Sequence, residues 1–208
     1  MKYLFVLGRE QNLSLAEIFA VARRENAPAR LLWRAEEVAC IEIKGAETIF
    51  SANILSGVIK TAHYLDEGSI EIIEDEVVND LIKTVATPKK VFGISCYGAT
   101  TLSNQKIGQR IKKSLTTQEY SARFVTGKDE ILNAAAVIHN DLITKGAEYL
   151  IVPHESRLAL GRTISVQDIE EWGKRDFAKP VRDSRRGMLP PKLARMMMHL
   201  SGAPIDGI

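Results

Sequence analysis

Short apolar runs and one helical repeat of apolar side chains divide residues 1–67 into alternating elements. The runs predict four strands, at residues 3–7, 29–34, 38–43 and 58–65. After the first strand, apolar side chains recur at helical spacing, at Leu15, Ile18, Phe19 and Ala22. Ser14 and Glu17 have the spacing of a capping box, which places the start of this helix at Ser14. With a second helix around residues 46–55, the β-α-β-β-α-β order predicts a ferredoxin-like domain.

Residues 68–165 repeat the alternation of helices with strands and predict a second α/β domain. Its first helix begins with the acidic side chains Glu74, Asp75 and Glu76, which suit the positive end of a helix. The remaining elements are strands at 90–97, 120–126, 148–152 and 158–165 and helices at 103–116 and 131–145. The predicted fold class is therefore mixed, α+β followed by α/β.

Residues 166–208 have a different character from the two domains before them. A short helix is predicted at 167–173, and residues 174–190 show no apolar periodicity and are typical of a linker. Pro190 and Pro191 then start a last helix, whose apolar stripe is formed by Leu193, Met196, Met197 and Leu200. We expect this helix to be poorly covered by the rest of the chain, since the linker gives the second domain no hold on it.

The charge of the chain is nearly balanced overall but unevenly distributed. There are 28 Lys and Arg against 26 Asp and Glu, a formal net charge of +2. Residues 83–128 nevertheless hold nine bases against one acid, and residues 172–195 hold eight bases against two acids. Two concentrated basic stretches favour contact with a polyanion, in particular a nucleic acid. An ordinary solvated surface is the alternative interpretation.

The helix predicted at 103–116 organises the first basic stretch. At about 100° per residue, Ile107, Ile111 and Leu115 share one side, and Lys106, Arg110 and Lys113 share the neighbouring side. Arg123 lies in a strand, where we expect it to face a ligand or an acid. The candidate RNA-binding residues are Lys106, Arg110, Lys112, Lys113, Arg123, Lys128, Arg162, Lys174, Arg175, Arg182, Arg185 and Arg186.

Motifs of catalytic chemistry do not occur in the chain. It has no GxGxxG turn, no GxSxG and no HExxH, and Cys40 and Cys96 are too few for a zinc site or a disulfide framework. No residue is therefore predicted to be catalytic, to bind a cofactor or to hold a metal. No run approaches the roughly 18 apolar residues of a membrane helix, and the N-terminus has no signal-peptide pattern. We expect a soluble cytoplasmic protein.

Several segments nevertheless resemble a known family of RNA-modifying enzymes. Phe92–Gly98, Ile107–Lys113, Ala122–Val125 and Lys145–Glu148 resemble the THUMP domain, an RNA-binding module. Thr163–Asp168 and Gly187–Ala194 (GMLPPKLA) are similar to the linker that follows THUMP in THUMP-containing tRNA guanosine N2-methyltransferases. That family also carries a ferredoxin-like domain before THUMP, so the resemblance extends over essentially the whole chain.

The resemblance implies an RNA-recognition function with tRNA as the partner, THUMP gripping the acceptor end. It implies domains at 1–67 (ferredoxin-like), 68–165 (THUMP) and 166–208 (linker and start of a methyltransferase domain). S-adenosylmethionine would bind to that catalytic domain, whose motifs are missing here, so the expected chain is truncated or acts with a separate catalytic chain. Two alternatives stay open. The module could serve another tRNA-modifying enzyme, or the sheet could be a non-catalytic module that binds a protein or a small molecule.

Overall fold

The computed structural model describes residues 1–45, 50–98, 102–127, 129–177 and 188–202, which form eight strands and six helices. The strands are β1 (Lys2–Leu7), β2 (Ala29–Ala35), β3 (Val38–Ile43), β4 (Val58–Gly68), β5 (Lys89–Cys96), β6 (Ser121–Val125), β7 (Ala147–His154) and β8 (Arg157–Val166). The helices are α1 (Gln11–Arg24), α2 (Ile70–Thr84), α3 (Asn104–Thr117), α4 (Ala134–His139), α5 (Ile169–Phe177) and α6 (Pro191–Ser201).

All eight strands belong to one mixed sheet, in the order β2-β3-β1-β4-β8-β7-β5-β6. The pairs of β5 with β6 and with β7 are parallel, and every other pair is antiparallel. The mixed α/β class predicted from the sequence is therefore confirmed. Strand β8 pairs with both β4 and β7, and so joins the first four strands to the last three. The division at residues 67 and 165 stays a prediction.

The three longest helices cover the same face of the sheet. Cross-strand partners share a face, and the chain of partners Tyr3, His63, Arg162 and Tyr149 runs across the middle of the sheet. Tyr3 packs in the core under α1, and Tyr149 packs in the core under α2 and α3. The opposite face carries a separate core around Leu150 and Val152, together with α4.

The predicted capping box at the start of the first helix is wrong. Helix α1 begins three residues earlier, at Gln11, and the Ser14 hydroxyl donates a hydrogen bond of 2.9 Å to the Glu10 carbonyl. Glu17 points into the protein, where its carboxylate accepts hydrogen bonds from the backbone N–H groups of Ser56 (2.9 Å) and Gly57 (2.8 Å). The same spacing of a serine and a glutamate therefore serves tertiary contacts instead of a helix end.

Other predicted helix boundaries also move. Of the helix predicted at 46–55, residues 46–49 lie outside the described part, and 50–55 form a turn in which the N–H groups of Ile54 and Leu55 bond to the Ser51 carbonyl. Side chains of neighbouring strands satisfy this turn, because Ser165 Oγ accepts from Ala52 N (2.7 Å) and Thr61 Oγ1 donates to the Phe50 carbonyl. Helix α2 starts at Ile70, before the acidic triplet.

The helix predicted at 131–145 is much shorter in the structure. Helix α4 covers only Ala134–His139 and is followed by turns. Asp141 has a positive φ of 53°, a left-handed conformation that ends the helix. Gly146 then brings the chain against β5, since a Cβ atom there would lie 2.5 Å from the Val91 carbonyl oxygen.

The last helix is covered by this chain, contrary to the expectation from the sequence. Helix α6 packs on α1, with Met196 and His199 buried. His199 Nδ1 lies 2.6 Å from the Glu17 carboxylate, in a pair that is fully buried. The predicted stripe is half wrong, because Met197 is 54% exposed and Leu200 is also exposed. Sequence periodicity missed His199, whose hydrogen bond to Glu17 allows a polar ring to be buried.

Helix length and composition also bear on membranes. In the described ranges, no helix has both the length and the apolar character required to cross a bilayer.

Candidate nucleic-acid interface

Helix α3 presents lysines to solvent because its opposite side is held in the core. Ile107, Ile111 and Leu115 are buried in the core that α3 forms with β5 and β6. Gly108 allows the Phe124 ring to approach, since a Cβ atom at this position would lie 2.3 Å from the ring. We call the three lysines Lys106, Lys112 and Lys113 the α3 face. All three are exposed, and none forms an ion pair with another described residue.

Arg110 lies on the same helix, but a carboxylate already holds it. Its guanidinium donates to Glu74 on α2, with Nε 2.8 Å from Oε1 and Nη2 2.5 Å from the same oxygen. This hydrogen bonding raises the pKa of Arg110 above its ordinary value. The predicted row of three cations is therefore two free lysines and one arginine that ties α3 to α2.

Arg123 points away from the α3 face. Phe124 packs under α3, and neighbouring residues of a strand face opposite sides of the sheet, so Arg123 lies on the side of α4. Its Nη2 donates to Asn140 Oδ1 at 3.0 Å, an amide in place of the expected ligand or acid. A shallow cleft of about 480 Å³ adjoins it, with Lys89 and Lys145 on the rim.

Arg162 is a half-buried arginine that is paired with helix α2. It donates to Asp80 Oδ2 at 3.3 Å and to the hydroxyl of Thr84, both on α2. The Tyr149 hydroxyl donates to the same Asp80 oxygen at 2.6 Å, and burial raises the pKa of Tyr149 well above its usual range. Arg162 therefore holds α2 on the sheet, and its own carboxylate partner neutralises it.

The second basic stretch gathers three cations around one indole, here called the Trp172 cluster (Trp172, Arg175, Lys192 and Arg195). The charged ends lie 5.0 Å (Arg175), 5.7 Å (Lys192) and 5.7 Å (Arg195) from the centroid of the Trp172 ring. Burial lowers the pKa of Lys192, and burial together with the Arg175 charge lowers that of Arg195.

Only part of this cluster was among the predicted RNA-binding residues. Arg175 was named from the sequence, and it also pairs with Glu171 at 3.1 Å. Lys192 and Arg195 belong to the basic stretch but not to the predicted RNA-binding residues, because only the fold brings them to Trp172, 20 or more residues earlier in the chain. Lys174 is exposed nearby. Four other candidates, Lys128, Arg182, Arg185 and Arg186, lie outside the described residues.

A buried ion pair was missed altogether. The Lys60 ammonium donates to Glu148 Oε1 and, at 2.7 Å, to the Leu132 carbonyl. Glu148 also accepts from Ser95 Oγ (2.6 Å) and from Thr163 Oγ1 (2.8 Å). The pair connects β4 to β7 inside the core. A lysine and a glutamate within two apolar strands are the sequence signal for such a pair.

Neither cysteine of the chain is activated as a nucleophile. Both cysteines are buried, and burial raises the pKa of each thiol to about 12, so neither is a thiolate at neutral pH. Within the described ranges, no cluster of three or more His, Cys, Asp and Glu side chains is placed to hold a metal ion.

Comparison with known proteins places the fold among solved structures. No protein-family model and no curated protein sequence matches this chain. TrmN from Thermus thermophilus matches with a TM-score of 0.51 at 12% identity, over 98% of this chain and 55% of that one. PH1313 from Pyrococcus horikoshii Ot3 matches with a TM-score of 0.50 at 12% identity, over 77% of this chain and 53% of that one.

A third similar structure is described as a predicted N6-adenine-specific DNA methylase, from Listeria monocytogenes. It matches with a TM-score of 0.52 at 10% identity, over 93% of this chain and 46% of that one. The chain thus spans about half the length of the structures it matches. At these identities the likeness establishes a shared fold.

Proposed function

We propose that this chain binds tRNA and is the RNA-recognition part of a tRNA-modifying enzyme. The α3 face carries the proposal, because Lys106, Lys112 and Lys113 are exposed on one helix and have no acidic partner in the described ranges. At about 100° per residue, Lys106 and Lys113 share one side of this helix. The fold shared with TrmN and with a protein described as a methylase supports it. The resemblance of residues 92–148 to THUMP supports it as well.

Electrostatics explains how such a face would act. Like charges on one helix repel each other, and a phosphate backbone relieves that repulsion while releasing its own counterions. Because α3 is held by three buried side chains and by the Arg110–Glu74 pair, its lysines are presented from a fixed helix. The contacts reach phosphate rather than base edges, so we expect binding with little sequence preference from this face.

The reaction class within this proposal is guanine-N2 methylation. It rests on the linker segment Gly187–Ala194, which resembles that of the THUMP-containing methyltransferases. S-adenosylmethionine would then be bound by a catalytic domain, on this polypeptide or on a separate chain, and no residue described here is assigned to it. The purified chain of 208 residues should bind tRNA and transfer no methyl group from labelled S-adenosylmethionine.

A salt titration of tRNA binding tests the RNA proposal. The double variant Lys106→Gln/Lys113→Gln should bind more weakly, and its log–log salt slope should be shallower by about 1.4 to 1.8, at 0.7 to 0.9 per lost phosphate contact. Lys2→Gln/Lys44→Gln removes two exposed lysines that lie outside both basic stretches and is the matched control. Equal slopes for the two double variants would show that the α3 face is merely solvated.

A further inference from the structure

A cavity of about 390 Å³ lies where the beginnings of α1 and α6 meet the end of β1 and the start of β4. Its walls include Arg9 and Glu10 from the start of α1, Ser56 from the turn before β4, and Lys192 from α6. Neither the proposed tRNA contact nor the packing of the core uses this space. Its volume lies within the range of small-molecule sites, roughly 300–1,000 Å³.

The N-terminus of α6 opens onto this cavity through the first-turn residues Lys192 and Leu193, and the start of α1 borders it through Arg9 and Glu10. Helix α1 has Glu10 as its N-cap and α6 has Pro190, and neither cap residue provides a side-chain hydrogen bond to the first turn. Backbone N–H groups of the first turn have no partner within a helix, and the dipole of the helix adds positive potential at this end. Such ends are suited to bind phosphate.

Ser56 adds an observation that is independent of the helices. The residue is 2% exposed and lines the cavity, and its hydroxyl has no hydrogen-bond partner among the described residues. Its backbone groups are both engaged, since the N–H donates to Glu17 and the carbonyl accepts from Gln167 Nε2 at 3.0 Å. A buried hydroxyl without a partner is costly, and an anionic oxygen in the cavity could satisfy it after a rotation about χ1.

Charge and shape divide the cavity into a polar and an apolar part. Lys192, whose ammonium donates to Gln167 Oε1 at 2.6 Å, and Arg9 are its two cations, opposed by the exposed Glu10. Ile59, Leu193 and Met196 provide apolar wall on the other side. A ligand that fits therefore joins an anionic group to an apolar body of modest size.

We infer that this cavity binds the phosphate of a nucleotide-sized phosphate monoester. The phosphate lies against Lys192, Arg9, Ser56 and the first-turn amides, and the nucleoside covers the apolar wall. A free mononucleotide and the 5′-phosphate end of an RNA share this chemistry. The inference does not depend on the α3 face, which is a separate surface of the molecule.

Calorimetric titration with AMP, adenosine and inorganic phosphate tests the inference. AMP should bind with a Kd of about 1 mM or tighter, and adenosine and inorganic phosphate should each bind at least tenfold more weakly, because each lacks one half of the ligand. Lys192→Gln and Ser56→Ala should each weaken AMP binding by about tenfold, as expected for hydrogen bonds to a charged group. Lys83→Gln, on the exposed side of α2, should leave AMP binding unchanged.

Two short RNAs of the same sequence, one with a 5′-phosphate and one without, show whether the cavity binds an RNA end or a free mononucleotide. Tighter binding of the 5′-phosphorylated RNA that is lost in Lys192→Gln assigns the site to an RNA end, and AMP binding with no such preference assigns it to a free nucleotide. Failure of both AMP and the 5′-phosphate to bind would overturn the inference. Binding that is unchanged in both Lys192→Gln and Ser56→Ala would overturn it too, and a melting curve of each variant confirms that it is folded.

Discussion

The α3 face and the Trp172 cluster both concentrate positive charge, but their surroundings differ. The lysines of the α3 face stand in solvent on long side chains. In the Trp172 cluster, Arg175, Lys192 and Arg195 surround a buried indole, and two of them also bond to neutral oxygens, Lys192 to Gln167 and Arg195 to the Asn53 carbonyl. Free cations are expected to give salt-dependent, non-specific attraction. Cations held in place lose less entropy when a ligand binds, and so favour specificity.

The largest effect is expected from removing the contacts that keep α6 on α1, because α6 carries Lys192 and Arg195 of the Trp172 cluster. Glu17→Ala leaves His199 and two buried N–H groups without their acceptor. Each buried donor left without its acceptor costs about 1 to 3 kcal/mol, so urea denaturation should show a loss of about 3 kcal/mol or more in the free energy of unfolding. The Trp172 cluster should loosen, and the α3 face should keep its tRNA affinity under conditions where the variant is folded.

Glu25→Ala is the matched control for Glu17→Ala. It removes an acid of the same helix region whose pair with Arg24 is near the surface, and it should cost no more than about 1 kcal/mol. If Glu17→Ala costs as little as Glu25→Ala, the buried network does not hold α6.

A substitution at Gly108 tests how tightly α3 packs against the Phe124 ring. In Gly108→Ala the new Cβ atom meets the Phe124 ring, and such overpacking costs about 1 to 3 kcal/mol. Gly173→Ala, in α5 with nothing within 4 Å of the new atom, should instead raise stability by roughly 0.5 to 1 kcal/mol, as alanine does in a helix. Thermal denaturation measures both. Adding Phe124→Leu to Gly108→Ala should restore part of the loss, and no restoration would place the strain elsewhere.

Arg110 offers a way to sharpen the electrostatic argument. Glu74→Gln releases Arg110 from its carboxylate and adds a free cation beside Lys106. The tRNA affinity should rise several-fold, and the salt slope should steepen by at most about 0.9, the value of one added phosphate contact. Asp75→Asn removes an exposed acid from the same helix that has no ion pair with Arg110 and serves as control. Equal effects of the two variants would mean that only net charge matters.

The smallest expected effect is in the reaction of the two thiols with a labelling reagent. Each thiol lies in a different half of the sheet, so its labelling measures the opening of that half. Cys96 lies in the core under α3, and Cys40 lies in the core of the opposite face. Because burial raises both pKa values to about 12, the thiols stay protonated below that pH, and neither should react with a thiol reagent at pH 8 in the folded protein. Both should react in urea. Rapid labelling of one cysteine in native buffer would show that its half opens separately.

Strands were predictable from this sequence to within a few residues, because most of them bury a short apolar run, while the edge strands β2 and β6 are mostly half-buried or exposed. Helix boundaries were less predictable. Ser14 and Glu17 have the spacing of a capping box, but the Ser14 hydroxyl bonds to the Glu10 carbonyl and the Glu17 carboxylate accepts from Ser56 N. The positions of Lys106, Arg110 and Lys113 on one side of α3 followed from helical spacing, but the carboxylate partner of Arg110 did not. Glu74 lies 36 residues away, and only the packing of α2 beside α3 brings it into reach.

The C-terminal region also depends on a contact between residues that are far apart in the sequence, which a local pattern does not predict. His199 and Glu17 are 182 residues apart, and no local pattern indicates that a histidine on the last helix will be buried. The sequence therefore predicted an uncovered helix where the structure has a docked one. The cavity beside it was equally unpredictable, because its walls come from four separate segments of the chain.

The position of β8 in the sheet has a consequence for synthesis of the protein. Strand β4 ends at Gly68, but β8, its neighbour on one side, begins only at Arg157. At 5 to 20 residues per second, the ribosome needs about 4 to 18 s to add the intervening residues. During that time one edge of β4 has no partner strand in the nascent chain, and Lys60 in β4 has not yet met Glu148. A lysine on an exposed strand edge disfavours pairing with a second chain, so we expect Lys60 to limit aggregation of the growing chain before it forms its buried pair with Glu148.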